Sequence, residues 1–174
     1  MTQKIIRIGV DLDGVVVNKP PIVPKKLIEW LIRSHTNHEK KYRFPKTNLE
    51  RWIRIQSHHY KLRPPLSKNL QAIKNLEKLK SFEVFFISSR YRFLANQTRQ
   101  WFKNYFPQFD YKKVFINLEN QQPHLFKEEM IRKLKIDYFL EDDQRTISYL
   151  RKRSNLCPII KINRDKQITK KLFS

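Results

Sequence analysis

An α/β fold is what this sequence predicts: a doubly wound, parallel, five-stranded Rossmann-like sheet with a small helical cap inserted after the first strand. Three observations carry it. Apolar, strand-like runs alternate with helix-periodic segments, as in a parallel sheet covered on both faces. Several of those runs end in acidic or hydroxyl residues, at the strand ends where such sheets hold their ligands. Residues 18–65 interrupt the alternation, so the division is 1–17 and 66–174 for the core and 18–65 for the cap.

The elements follow in order. KIIRIGV (Lys4–Val10) is a short apolar run, the pattern of a strand buried on both faces, and it leads straight into Asp11. Within the insertion, Leu27, Trp30 and Leu31 fall on one face of a helix over KKLIEWLIRS, and a second helix is expected near LERWIRIQSHHY. RPPLS breaks the pattern, and Ser67 is a candidate N-cap for KNLQAIKNLEKLK, whose Leu70, Ile73, Leu76 and Leu79 keep helical spacing. The second strand is FEVFFISS (Phe82–Ser89), followed by a helix through RFLANQTRQWFKNYF and a strand at YKKVFIN. A helix over LFKEEMIRKLK, the strand IDYFL ending in Glu141-Asp142-Asp143, helix TISYLRKR and strand CPIIKIN complete the core.

Composition narrows the function classes. The 174 residues suit one domain with a small subdomain, and 40% hydrophobic content supports a packed core rather than a disordered chain. No apolar run reaches the roughly 20 residues that span a bilayer, and acidic residues arrive too early for a secretory leader. One cysteine, Cys157, excludes an internal disulfide and fits a reducing, cytoplasmic location. The net charge of +21 attracts anions such as nucleotides or nucleic acid, although the basic residues are scattered, as compositional drift would also leave them. The insertion carries twelve of them against Glu29, Glu39 and Glu50. At average usage about twelve glycines would be expected; there are two, Gly9 and Gly14, and they flank Asp11 and Asp13. Gly14 is expected to serve a sharp turn and keep space for a phosphate, and Gly9 to be a packing position.

Strand ends carry Asp11-Leu12-Asp13, Ser88-Ser89-Arg90 and Glu141-Asp142-Asp143, and Lys127 lies near the start of the helix before the fourth strand. In this order the set resembles the haloacid dehalogenase-like (HAD) superfamily of phosphatases and phosphotransferases: DLDGV, Ser88 of ISSR, Lys127 and EDD match its four motifs. The resemblance implies that Asp11 attacks phosphorus to form an aspartyl-phosphate and that Asp13 is the acid and base. Asp13 lies two residues along the strand, so its side chain is expected on the same side as that of Asp11. It further implies that Ser88 and Ser89 bind the phosphoryl oxygens and that Lys127 neutralises their charge. Mg²⁺ would be held by Asp11, Asp142 and the backbone carbonyl of Asp13, with Asp143 as an alternative or supporting acid and Glu141 shaping the strand end.

The short cap and ISSR further resemble the 5′(3′)-deoxyribonucleotidase branch, which implies a nucleotide substrate. Trp30, Phe44, Trp52 and Tyr60 are then candidates to stack on a base, and Arg43, Arg51 or Arg63 to hold a second phosphate or a sugar. Trp30 and Trp52 serve equally well as the cap's own core, and Arg90 contacts substrate or pairs with a nearby acid. Two other readings stand beside this one: a phosphatase for phosphorylated nucleic-acid ends, and a non-catalytic basic binding module. The pairs His35/His38 and His58/His59 lack further ligands for a metal and are expected at the surface, and Cys157 is expected as a buried hydrophobe.

Overall fold

The computed structural model describes residues 4–18, 42, 44–162 and 168. Five parallel strands form one sheet: β1 (Ile6–Val10), β2 (Phe82–Tyr91), β3 (Val114–Asn117), β4 (Tyr138–Glu141) and β5 (Ile159–Lys161), in the order β3-β2-β1-β4-β5. β1 is central and the order reverses beside it, which puts a crevice beyond its C-terminal end. Among the described residues, the complete α-helices are α1 (Asn48–Ser57), α2 (Ser67–Glu77), α3 (Ala95–Tyr105), α4 (Pro123–Lys133) and α5 (Gln144–Leu150).

Each face of the sheet buries its own layer. Ile8, Val10, Val84 and Phe86 pack with Leu70, Ile73 and Leu76 of α2 and with Trp101 and Phe102 of α3. Phe85, Ile87 and Phe139 pack with Phe126, Met130 and Ile131 of α4 and Ile147 and Leu150 of α5. The alternation along β1 and β2 is the two-residue period of a strand. Gly9 belongs to the second layer: a Cβ there would lie 2.7 Å from Phe139 Cδ2 and 3.3 Å from Ile87 Cδ1, so the glycine lets an aromatic ring close on the central strand.

Local details adjust several sequence expectations. Ser67 is the first residue of α2, with Leu66 in the cap position and no side-chain cap bond. The Thr47 hydroxyl instead caps α1, accepting from the Glu50 amide at 3.1 Å. The second strand runs to Tyr91, two residues beyond the expected end. Its pairing with β3 jumps from Ser88↔Ile116 to Tyr91↔Asn117, so Ser89 and Arg90 bulge out of the ladder. Bulges of this kind re-aim side chains beside functional sites.

The chain before residue 19 and the chain after residue 63 meet in a paired neck. Val17 bridges Pro65, the Asn18 amide donates to the Pro64 carbonyl at 2.9 Å, and the Leu66 amide donates to the Val16 carbonyl at 2.8 Å. The buried Asn69 side chain donates to the Val15 carbonyl at 2.7 Å and ties this neck to α2. The helix expected over residues 25–34 lies outside the described residues, as do Trp30 and Arg43.

Candidate active site

β1 delivers Asp11 to the C-terminal edge of the sheet, where its amide still donates to the Leu140 carbonyl at 2.9 Å. The chain then turns tightly: the Val16 and Val17 amides both donate to the Leu12 carbonyl, and the Gly14 amide donates to Val17. Gly14 adopts φ +88°, a region that L side chains rarely occupy. A Cβ there would sit 2.0 Å from Asp142 Oδ2, so the space this glycine preserves is occupied by the Asp142 carboxylate rather than kept for a phosphate.

Lys127, from α4, is buried and bridges two strand ends. Its Nζ lies 3.0 Å from Asp11 Oδ1 and 2.5 Å from Glu141 Oε2. Burial works against its charge, but the two carboxylates outweigh that and raise its pKa above the ordinary lysine range. Glu141 was expected only to shape the strand end, yet it is fully buried and central to the site. Its Oε1 accepts the Asp142 and Asp143 amides at 3.1 and 3.0 Å, which fixes the turn after β4.

Asp11, Glu141 and Asp142 each place a carboxylate oxygen within 4.8 Å of the others. Burial, followed by repulsion from Glu141, raises the Asp11 pKa well above the usual carboxylate value, and Lys127 is the cation that opposes the rise. An oxygen-lined, acid-rich cluster of this kind fits a hard divalent cation such as Mg²⁺. Glu141 has both oxygens committed to Lys127 and to amides, so Asp11 and Asp142 are the residues suited to hold the ion.

Asp13 faces a different set of partners. Arg90, re-aimed by the bulge, donates through Nε to Oδ2 and through Nη2 to Oδ1, both at 2.7 Å, and Arg63 Nη1 donates to Oδ1 at 3.2 Å. Burial alone would raise the Asp13 pKa, but Arg90 and then Arg63 hold it well below the ordinary range, so the group is ionised. Arg90 is held in turn by Thr98 Oγ1 at 3.2 Å. Of the two roles open to Arg90, the structure places it with an acid.

Ser88 is buried at the end of β2, its Oγ accepting from the Arg90 amide at 3.4 Å, and Ser89 is half-buried on the bulge. Asp143 caps α5, accepting from the Thr146 amide at 3.1 Å and the Thr146 hydroxyl at 2.8 Å. The Tyr42 hydroxyl also donates to Asp143, and the Tyr42 backbone exchanges two hydrogen bonds with the Gln122 side chain. Trp52 is 58% exposed on α1. Phe44 meets Tyr91 edge-on at 4.9 Å, just beyond the bulge.

Sequence reasoning missed Tyr42, Gln122 and His58. His58 was expected at the surface; it is half-buried, and burial followed by the charge of Arg63 keeps its pKa well below the usual value. Tyr42 and Gln122 carry no signal in a single chain, because a tyrosine and a glutamine 80 residues apart imply nothing about each other.

No protein-family model matches the chain, and no curated protein does. Among solved structures, one match is a HAD family enzyme from Bacteroides thetaiotaomicron, an aspartate-to-alanine mutant in complex with magnesium and inorganic phosphate. The likeness has a TM-score of 0.56 and covers 98% of this chain and 99% of that one at 15% identity, which shows a shared HAD-like fold.

Proposed function

We propose that the protein is a Mg²⁺-dependent phosphomonoesterase that works through an aspartyl-phosphate on Asp11. The observation that carries this reading is the Asp11–Lys127–Glu141 ion-pair chain with Asp142 beside it, at the edge of a sheet that the magnesium- and phosphate-bound neighbour shares. The ion, held by Asp11 and Asp142 with the Asp13 carbonyl, would offset the repulsion between a carboxylate and a phosphate dianion.

In this mechanism Asp11 Oδ2 attacks phosphorus while Lys127 holds Oδ1. The bond from Asp11 Oδ2 to phosphorus forms, the ester bond breaks, and the departing oxygen takes a proton from Asp13, which must first take one up from solvent as substrate loosens its arginine clamp. Water then attacks the aspartyl-phosphate, Asp13 accepts its proton, and inorganic phosphate leaves. Asp13 under its arginine clamp, which favours the ionised form, is suited to the second step. Ser88 and Ser89 supply the donors for the phosphoryl oxygens, with the charge of Lys127 behind them.

Residues 18–65 form the cap in this reading and choose the leaving group. A nucleotide is the preferred substrate class: Phe44 and Phe93, half-buried and backed by the buried Tyr91 where β2 leaves the site, are rings on which a base can stack. A phosphorylated nucleic-acid end is the second reading, favoured by the +21 charge and the exposed Trp52. The lone, half-buried Cys157 fits a cytoplasmic location.

The test is hydrolysis of 4-nitrophenyl phosphate with and without Mg²⁺, followed by a panel of nucleoside monophosphates, sugar phosphates and phosphorylated oligonucleotides at varied salt. Activity that survives both chelation and Asp11→Asn overturns the proposal. Hydrolysis of oligonucleotide ends with steep salt dependence, and none of mononucleotides, selects the second reading.

A further inference from the structure

We propose that Arg63, backed by Arg90, forms a subsite for a second anionic group on the leaving group. The favoured substrates are then phosphate monoesters whose alcohol carries a carboxylate or a second phosphate. The inference rests on the phosphomonoesterase reading above and specifies which esters that site accepts.

Arg90 alone satisfies Asp13, because its fork covers both carboxylate oxygens at 2.7 Å. Arg63 brings a second guanidinium to Oδ1, which Arg90 already occupies, and does so at a longer 3.2 Å. Among the described residues, Asp13 is the ion-pair partner of both arginines, so two nearly buried cations share one anion. A buried charge without its own counter-ion is costly, and a bound anion removes that cost.

The second guanidinium is also held ready. Arg63 Nε donates to the Ser57 carbonyl at 2.9 Å, and the Trp101 indole donates to the Arg63 carbonyl at 2.8 Å. Arg63 Nη2 lies 3.1 Å from His58 Nε2, and since a guanidinium offers no lone pair, the ring nitrogen accepts. His58 Nδ1 then donates to the Arg54 carbonyl at 2.8 Å, which fixes the neutral tautomer. These contacts leave Nη1 aimed at Asp13, whose side chain is 31% exposed although both arginines are nearly covered. Fixed donors in a shielded setting, beside a partly exposed carboxylate, suit anion recognition by arginine.

The placement assigns the anion to the leaving group. Lys127 is on a core helix beside Asp11, whereas Arg63 lies just before the neck at Pro65, on the Asp13 side. A carboxylate or phosphate on the leaving group competes with Asp13 Oδ1 for the Arg63 N–H. Its arrival therefore frees an oxygen of the residue that must meet the ester oxygen. Of the other arginines named from sequence, Arg51 lies 5.6 Å over the Phe44 ring instead.

The experiment is calorimetric titration of Mg²⁺-loaded Asp11→Asn protein with phenyl phosphate and 3-carboxyphenyl phosphate, and with a nucleoside 5′-monophosphate and its 3′,5′-bisphosphate. In at least one pair the doubly anionic ligand should bind about tenfold tighter or more, the worth of one charge-assisted hydrogen bond. Which pair shows it tells carboxylate from phosphate. Adding Arg63→Gln should collapse the preference to about twofold or less, while Arg63→Lys, which keeps the charge, should retain part of it. The general field of the +21 chain barely changes with one residue, so it cannot mimic that collapse. Equal binding within both pairs, or a preference that survives Arg63→Gln, overturns the subsite. Turnover of phenyl phosphate by the unaltered protein is read separately. Turnover without selectivity removes the subsite alone; selectivity without turnover removes the phosphomonoesterase reading and leaves an anion site. A thermal melt of each variant establishes folding, and Arg63→Lys keeps the test decisive if Arg63→Gln unfolds.

Discussion

Lys127→Met, close in length and shape but uncharged, isolates what the buried cation does. The residue is 3% exposed and touches Asp11 at 3.0 Å and Glu141 at 2.5 Å, so its loss leaves two buried carboxylates facing each other. Breaking a buried pair by removing one partner costs about 3–5 kcal/mol. At about 2–4 °C per kcal/mol for a chain of this size, the melting temperature should fall by roughly 6–20 °C at pH 7.5 without divalent ions. The sign of the pH dependence follows from Asp11. Burial and Glu141 raise its folded pKa above the unfolded value, and Lys127 is the group that pulls it down. A raised acid stabilises below its unfolded pKa and loses that stabilisation as pH climbs through the folded pKa. The variant has a still higher folded pKa, so its deficit should grow from pH 5 to pH 8. Mg²⁺ should narrow the deficit by restoring positive charge. Differential scanning calorimetry across that range is the assay. A variant within 2 °C of the parent at pH 7.5 (about 1 kcal/mol or less), or a deficit that does not change with pH, would refute the reasoning.

Three further outcomes follow from the site. Asp11→Asn should lower phosphatase turnover by about a thousandfold or more while leaving the fold intact, measured by stopped assay and circular dichroism. Gly14→Ala combines a φ of +88° with a Cβ 2.0 Å from Asp142 Oδ2; it should cost about 1–2 kcal/mol of stability from backbone strain alone. The same change should raise the Mg²⁺ concentration for half-maximal activity by about tenfold. Asp143→Ala removes the α5 cap and should cost about 1 kcal/mol in urea unfolding at neutral pH. Burial opposes the Asp143 charge, but Tyr42 and Thr146 outweigh it and lower the pKa, so this contribution exists above the unfolded value of about 3.9 and fades as pH falls through the folded pKa. Parent and variant should therefore converge below about pH 4.

The parallel five-stranded sheet and the approach of Asp11, Lys127 and Asp142 were legible because strand ends and helix starts announce themselves through local pattern. What each acid does there was not. Glu141 and Asp143 sit in the same tripeptide as Asp142, and nothing in EDD distinguishes a partner of Lys127 from a helix cap. The separation arises from the turn after β4, where Glu141 gathers two amides and Asp143 faces Thr146 and Tyr42. The Arg90 and Arg63 contacts to Asp13 span 77 and 50 positions, and that of Arg90 depends on a bulge that no local signal marks. Charge composition showed an excess of basic residues; only folding decides which two converge on one carboxylate. Ser67 misled because hydroxyl residues are common both at the cap position and one residue inside it.

Because the neck closes on itself, with the Asn18 amide on the Pro64 carbonyl and Val17 beside Pro65, the departure and return points of the intervening stretch are neighbours. Ring closure across such a gap grows only slowly more costly with added length, so the stretch can be lengthened, trimmed or transplanted without disturbing the anchoring strands. Under the proposed function, chimaeras joined at these two points should keep the phosphoryl chemistry of one parent and adopt the substrate preference of the other. A donor graft without a guanidinium at position 63 would bring a different taste with it.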